Sequence, residues 1–175
     1  MSSIAVGVQH EASRLFVEDL ADRLLRMYPA QIRACLEELS EEQIWWRPSA
    51  STNAVGNLVL HLCGNLRHYL GRGVASTGYR RDRPAEFATQ GPMPRAELLR
   101  HLDEAVADAR RAFESLTDAR LLETADLGPE SQTVASLLVG VTAHFNGHAG
   151  QIVYVTKMAR EGVFADELWR RVRDR

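Results

Sequence analysis

The chain has 175 residues, of which 45% are hydrophobic and 25% charged, and these values are typical of a single globular domain. Its formal net charge of −2 disfavours a general attraction to nucleic acid or to anionic lipid. The two cysteines, Cys35 and Cys63, form no Cys-x-x-Cys pair, which favours a reducing compartment. No stretch approaches the roughly 18 apolar residues that a membrane span needs. We therefore expect one cytoplasmic domain over residues 1–175 that binds neither nucleic acid nor membranes.

The amino-terminal part of the chain predicts one long helix followed by a short helical turn. Apolar residues at helical intervals predict the helix over residues 9–39, and Pro29 is expected to kink or briefly interrupt it. The sequence Ser40-Glu-Glu-Gln has the pattern of a capping box and opens the turn that carries Trp45 and Trp46. One of these tryptophans is expected to anchor in the core while the other covers an edge.

Three further helices and a long crossover are predicted after this turn. Polar residues 49–53 predict a loop that caps a second helix over residues 54–74. Residues 76–94 hold three of the six prolines and a charged run, and they predict a long crossover loop. A third helix is predicted over residues 95–116, and a fourth follows Thr133 as its cap. Four amphipathic helices with one long connection predict a four-helix bundle.

The most informative feature lies in the fourth predicted helix, in the sequence His144-Phe-Asn-Gly-His148. Residues four apart meet on one helical face, so two imidazoles at this spacing can hold one metal ion. The pair interrupts an apolar stripe that consists of Leu137, Val141, Ile152 and Val155. Unpaired imidazoles in an apolar interior lose hydration and repel each other when charged, and a divalent cation removes both problems. The alternative is a pair of core histidines satisfied by hydrogen bonds.

His61, in the middle of the predicted second helix, is the candidate third ligand. Its depth along the bundle is expected to match that of the histidine pair, and three neutral nitrogens leave one or more positions for water or substrate. Imidazole ligands suit zinc, nickel, copper or iron. Phe145 occupies the position of the catalytic glutamate in His-Glu-x-x-His metalloproteases, so a protease of that type is not expected.

Polar residues near these histidines are candidate ligand-binding residues. Asn65 and Gln151 each lie about one helical turn from a histidine, where they can orient a ligand or hold bound water, or form an interhelical hydrogen bond instead. His68 lies close to two turns beyond His61 on a similar face, and it either lines the mouth of the site or faces solvent.

Four arginines can bind an anionic substrate or a cofactor carboxylate in bidentate fashion. They are Arg67, Arg80, Arg81 and Arg83. The alternative is that they are solvated or paired with Asp82 and Glu86. Cys63 lies about 200° around the helix from His61 and is expected to pack away from the site.

Two motifs carry a resemblance to a known family. The second predicted helix contains Asn57-Leu-Val-Leu-His-Leu-Cys-Gly-Asn-Leu-Arg-His68, and the fourth contains His144-Phe-Asn-Gly-His-Ala-Gly-Gln-Ile152. With these motifs the chain resembles the DinB-like family, also called the YfiT-like metalloenzymes, from its first helix to its fourth. Residues 39–48 and 81–87 resemble one subfamily that has no assigned activity.

The resemblance implies a four-helix bundle in up-down-down-up order, a divalent metal held by a histidine triad, and frequent homodimers. The triad carries over onto His61, His144 and His148, and zinc or nickel is the expected ion. The resemblance also implies that some members are low-molecular-weight thiol transferases. In this chain the dimer is expected to bury apolar helix surface that includes Trp45 and Trp46.

Three functions fit such a triad. The first is a metal-dependent thiol transferase that acts on a small molecule, and the second is a hydrolase that uses metal-activated water. The third is a non-catalytic protein of the stress response that binds metal or sequesters a ligand. Chemistry requires an open coordination position that faces a solvent-connected polar pocket, whereas a structural metal does not.

Overall fold

A computed structural model describes the backbone of residues 3–160 and the side chains from Glu11 onward. Its first long helix consists of α1, Ser3–Asp22, a π-helical segment, Arg23–Met27, and α2, Tyr28–Glu38. The wider π-helical turn lies just before Pro29, whose missing N–H and bulky ring disturb the regular hydrogen-bond ladder. The predicted interruption at Pro29 is therefore a local widening of a continuous helix. The ends of the domain predicted over residues 1–175 lie outside the described residues.

The remaining elements follow the predicted order. They are α3, Glu41–Trp45; α4, Val55–Leu66, with a π-helical extension, Arg67–Arg72; α5, Arg83–Ala88; α6, Arg95–Glu114; α7, Asp118–Leu122; β1, Thr124–Ala125; a short 3-10 turn, Gly128–Glu130; β2, Gln132–Thr133; and α8, Val134–Ala159. The two short strands are antiparallel, and Thr124 lies opposite Thr133. Among the described residues, no helix has the length and apolarity needed to cross a bilayer.

The long helices form a four-helix bundle in up-down-down-up order. Tyr28 stacks on Phe145 with ring centroids 5.8 Å apart, and Arg160 donates to the carbonyl of Glu38 at 2.7 Å, so α2 and α8 run in the same direction. Arg67 Nε at the end of α4 donates to Asp108 Oδ2 on α6 at 2.9 Å. The crossover makes α4 and α6 parallel, as the long connection between them requires.

The core lies between the apolar faces of all four long helices. Its largest fully buried side chains include Leu24, Ile32, Leu62, Leu66, Leu102, Leu137 and Phe145. Burial of one leucine or phenylalanine side chain contributes about 1.5–3 kcal/mol, so this shared interface accounts for the association of the helices.

Two sequence expectations require correction. The crossover is not a continuous loop, because Asp82 Oδ1 accepts from the backbone N–H of Ala85 at 3.1 Å and caps the short helix α5. Pro84 lies in the first turn of α5, where proline has no hydrogen bond to lose. The second helix begins after Ala54 without a side-chain cap. The capping box at Ser40 and the cap at Thr133 are confirmed.

Candidate metal centre

Three histidines from two helices meet at one point on the inner face of the bundle. His61 comes from the middle of α4, and His144 and His148 come from the middle of α8. Their candidate ligand nitrogens all lie within 4.8 Å of one another, and the Nε2 atoms of His61 and His144 are 3.0 Å apart. The structure therefore brings together the triad that the sequence predicts.

His61 is held by a buried carboxylate from α5. Its Nδ1 lies 2.9 Å from Oε2 of Glu86, whose side chain is 8% exposed. Arg81 donates to both oxygens of the same carboxylate, from Nε at 2.7 Å and from Nη2 at 2.8 Å. In the neutral ring whose Nδ1–H donates to this carboxylate, Nε2 carries a lone pair, and this atom points to the other histidines.

Burial and hydrogen bonding act in opposite directions on Glu86. Burial raises the pKa of this carboxyl, but hydrogen bonds from His61 and Arg81 outweigh it and hold the pKa below its usual value. Glu86 is therefore a carboxylate at neutral pH, and its charge is balanced by the Arg81 guanidinium. Together the pair fixes the ring of His61 from the side opposite the triad.

His148 has a different partner. Its Nδ1 lies 2.8 Å from Oε1 of Gln151, three residues further along α8. An amide oxygen only accepts, so His148 donates from Nδ1 and presents an unprotonated Nε2. Gln151 thus orients a histidine of the triad, which is one of the three roles considered for it from the sequence.

The two histidines of α8 are neutral near pH 7. Burial, and then the charges of His148 and His61, lower the pKa of His144 to about 4. Burial also lowers the pKa of His148, although its hydrogen bond with Gln151 opposes the shift. Neutral imidazole is the form that binds metal, so these two histidines are in the ligand-competent state at physiological pH.

The triad lies in the wall of an open cavity of about 580 Å³ between α4, α5 and α8. Small-molecule sites have volumes of about 300–1,000 Å³. Polar residues of the wall include Asn65, Tyr69, Arg81, Arg83 and Glu130. The described part of this cavity therefore combines polar and apolar groups, is large enough for a small molecule and is connected to solvent.

The other predicted site residues divide into two groups. Asn65 lines the cavity one turn beyond His61. Arg67 instead faces α6, where it pairs with Asp108 and with Glu104, each at 2.9 Å. His68 is not among the described residues that line the cavity, and its Nε2 lies 3.7 Å from Glu130.

The sequence interpretation missed two residues of the site. Glu86 appeared only as a possible ion-pair partner for the neighbouring arginines, and Tyr69 was not singled out. The signal for Glu86 was its position five residues after Arg81 in a segment rich in charge and proline. Tyr69 lies eight residues after His61, which is two turns in a helix that widens to π geometry from Arg67 onward.

Comparison with known proteins agrees with this architecture. A family described as "Protein of unknown function (DUF1572)" matches residues 11–168. The chain belongs to this family. A search among curated proteins finds no match to the sequence.

Two solved structures of DinB-like proteins have a fold similar to that of this chain. A DinB-like protein from Bacillus subtilis, YjoA, is 15% identical with a TM-score of 0.62, and the match covers 84% of this chain and 96% of that one. A DinB-like protein from Bacillus cereus is 16% identical with a TM-score of 0.56, over 79% of this chain and 91% of that one. At these identities the likeness shows the fold alone.

The residues of the histidine triad fit a metal ion. Three imidazole nitrogens converge within 4.8 Å, and a triad of this kind leaves part of the coordination sphere open. The Nδ1 atoms of His61 and His148 each have a hydrogen-bond partner, Glu86 and Gln151 respectively. These contacts direct Nε2 of each ring towards the shared point. The histidine cluster can therefore hold a divalent ion.

Proposed function

We propose that His61, His144 and His148 hold a zinc or nickel ion, and that the protein uses it to transfer a small-molecule thiol to an electrophile. The observation that carries the proposal is the convergence of three imidazoles within 4.8 Å in the wall of a solvent-connected cavity. A structural metal requires no such opening. The position of the triad therefore favours chemistry over a purely structural role.

The residues around the triad prepare it for this role. When bound, the ion supplies positive charge and an open coordination position, which lower the pKa of a thiol or a water. Glu86 and Gln151 fix the tautomers of His61 and His148, and Arg81 keeps Glu86 ionised. These contacts maintain the ligand geometry while the substrate exchanges.

The described residues that line the cavity offer no activated nucleophile to replace the ion. Among the described residues that line the cavity there is no serine or cysteine. Cys35 and Cys63 are both buried, and burial raises the pKa of each thiol to about 12. These observations support a mechanism in which the nucleophile belongs to the small molecule.

A second cavity favours transfer over hydrolysis. It has a volume of about 710 Å³ and a largely apolar wall that includes Leu58, Tyr154, Val155 and Met158. It shares Asn53 with the first cavity and is also lined by Gln151, the hydrogen-bond partner of His148. A cavity with charged residues at the triad and an apolar cavity that adjoins it at Asn53 suit two different substrates, whereas hydrolysis needs only one besides water.

Metal analysis combined with an activity screen tests this proposal. Untagged wild-type protein is expected to hold one divalent ion per chain and to conjugate a small thiol to an aryl chloride. His148→Ala removes both properties while the helical circular dichroism is kept. His101→Ala is the matched control, since it removes a histidine of α6 that lies outside the cavity.

The outcomes separate the alternatives. Full activity in a metal-free His148→Ala variant contradicts the metal mechanism. Loss of helical structure in that variant indicates a structural metal. Stoichiometric metal with no conjugation across a panel of thiols and electrophiles favours the non-catalytic alternative.

A further inference from the structure

The crossover segment contributes two arginines to the cavity, and they differ in how their charges are balanced. Arg81 is 10% exposed and makes a bidentate ion pair with Glu86. Arg83, at the start of α5, also lines the cavity. Among the residues that the structure describes, Arg83 has no carboxylate partner within ion-pair distance. Its positive charge therefore remains available to a ligand in the cavity.

The position of Arg83 is fixed by an aromatic ring. Its guanidinium carbon lies 5.2 Å from the ring centroid of Phe87, one turn later on α5. Phe87 also packs against His61, with ring centroids 4.8 Å apart. A cation held over an aromatic face keeps its N–H groups free at the edge, where they can donate to a carboxylate. Phe87 thus links the free arginine to the triad.

Asn65 supplies a second unpartnered group in the same cavity. It is 6% exposed, and its Oδ1 is buried without a hydrogen-bond donor among the described residues. A buried amide without partners costs about 1–3 kcal/mol, so such a group usually has a partner that the protein alone does not supply. Its place one turn beyond His61 puts this amide beside the candidate metal position.

We propose that Arg83 and Asn65 form a recognition subsite for a small carboxylate-bearing ligand whose other end lies at the histidine triad. The proposal rests on the proposed function for what happens at the triad. Arg83 pairs with the carboxylate, and the Asn65 amide hydrogen-bonds to a polar group between the two ends. This subsite makes the preferred substrate an anionic thiol, such as a thiol-containing amino-acid derivative.

The charges of the cavity favour a monoanion. The described cavity residues include one further carboxylate, Glu130, which accepts a hydrogen bond from the Tyr69 hydroxyl at 2.7 Å. The divalent ion meets the thiolate end of the ligand, so one free guanidinium is left for the far end, where it balances one negative charge. A doubly charged phosphate at that end leaves an excess that Glu130 repels. A carboxylate therefore fits this wall better than a phosphate monoester.

Calorimetric titration with a matched pair of probes tests the subsite. N-acetylcysteine and its methyl ester differ in the carboxylate, and both are titrated into zinc-treated, full-length protein whose zinc content is measured. Wild type is expected to bind the acid roughly 10-fold more tightly than the ester, the gain typical of one charge-assisted hydrogen bond. Arg83→Gln removes this preference. Arg80→Gln, which removes an exposed arginine outside the cavity, retains it.

The Asn65 part of the proposal has its own readout. Asn65→Ala is expected to weaken both probes by a similar factor, because both carry the same amide. A loss confined to the acid contradicts the assigned role of Asn65.

The remaining outcomes distinguish this subsite from the metal proposal. Equal affinity of wild type for the two probes, no measurable binding of the acid, or a preference that survives in Arg83→Gln overturns the subsite. A preference for the acid that depends on Arg83, in zinc-treated protein that takes up no zinc, leaves the subsite standing and contradicts the metal proposal. Zinc bound at the triad without any preference for the acid over the ester supports the metal proposal and overturns the subsite.

Discussion

The two helices that supply the histidines differ in how the fold encloses them. Every residue of α4 except Leu60 is buried, whereas α8 has an exposed face on which Val139 is 49% and Tyr154 is 66% exposed. His61 is accordingly buried and held by a buried ion pair, while His144 and His148 are only partly buried. The site thus combines one ligand that the core fixes with two that face the cavity. A change near His61 should cost stability, and a change near His148 should cost mainly metal affinity.

Removal of Glu86 should have the largest effect. Glu86→Ala leaves the Arg81 charge buried without its partner and releases His61, so we expect the free energy of unfolding to fall by about 3 kcal/mol. Metal affinity should fall as well. Urea denaturation and metal titration measure the two losses. Glu86→Gln keeps an acceptor for His61 and should lose less metal affinity than the alanine variant. Equal losses of metal affinity in the two variants would mean that the hydrogen bond to His61 is unimportant.

Gly64 tests how closely α5 packs on α4. Alanine in a helix is normally more stable than glycine by about 1 kcal/mol. A Cβ at Gly64, however, would overlap the carboxylate of Glu86, whereas a Cβ at Gly150 of α8 meets no atom within 4 Å. Gly64→Ala should therefore destabilise the protein and weaken metal binding, while Gly150→Ala should stabilise it. Thermal denaturation of both variants checks the sign, and stabilisation by Gly64→Ala would show that α5 moves freely.

Replacement of Gln151 on α8 is the counterpart of the Glu86 variants, because Gln151 orients His148 as Glu86 orients His61. It is exposed, and its contact with His148 is its one side-chain hydrogen bond among the described residues. Gln151→Ala should weaken metal binding by roughly 10-fold, as loss of a partner that orients a ligand does, with less than about 0.5 kcal/mol of lost stability. Competition with a chelator measures the affinity. An unchanged affinity would remove Gln151 from the account of the site.

The exposed face of α8 and the α3 turn also carry the proposal of a homodimer. Trp45 packs into the fold and donates from Nε1 to the carbonyl of Met93 at 3.1 Å, but Trp46 is 40% exposed. Val139, which lies outside the second cavity, adds exposed apolar surface on α8. Light scattering at micromolar concentration should give twice the mass of one chain. A monomer would leave the metal site unaffected and would remove the dimer.

The sequence was sufficient to predict the bundle and the triad because both depend on regular periodicity. The spacing of His144 and His148 places both rings on one face of any straight helix, and His61 lies at matching depth on a neighbouring helix. Prediction from helical periodicity fails where the helix changes its pitch. Counting seven residues from His61 at ordinary helical pitch left His68 either at the mouth of the site or facing solvent, but in the widened helix it is Tyr69 that lines the cavity.

The contact between Glu86 and His61 could not be predicted from spacing. It joins residues 25 positions apart and depends on how α5 docks against α4. The segment of α5 is short and contains a proline, so its helical pattern is too brief to recognise by periodicity. The pairing of Arg67 with Asp108 and Glu104 depends in the same way on the parallel packing of α4 and α6.

The central claim is that one ion binds to all three histidines. A crystal structure of the zinc-loaded protein, with an anomalous difference map at the zinc edge, tests it most directly. The account predicts a single strong peak about 2.1 Å from one nitrogen each of His61, His144 and His148. A peak at another position, or one that contacts the α8 pair while His61 stays bound only to Glu86, would contradict it.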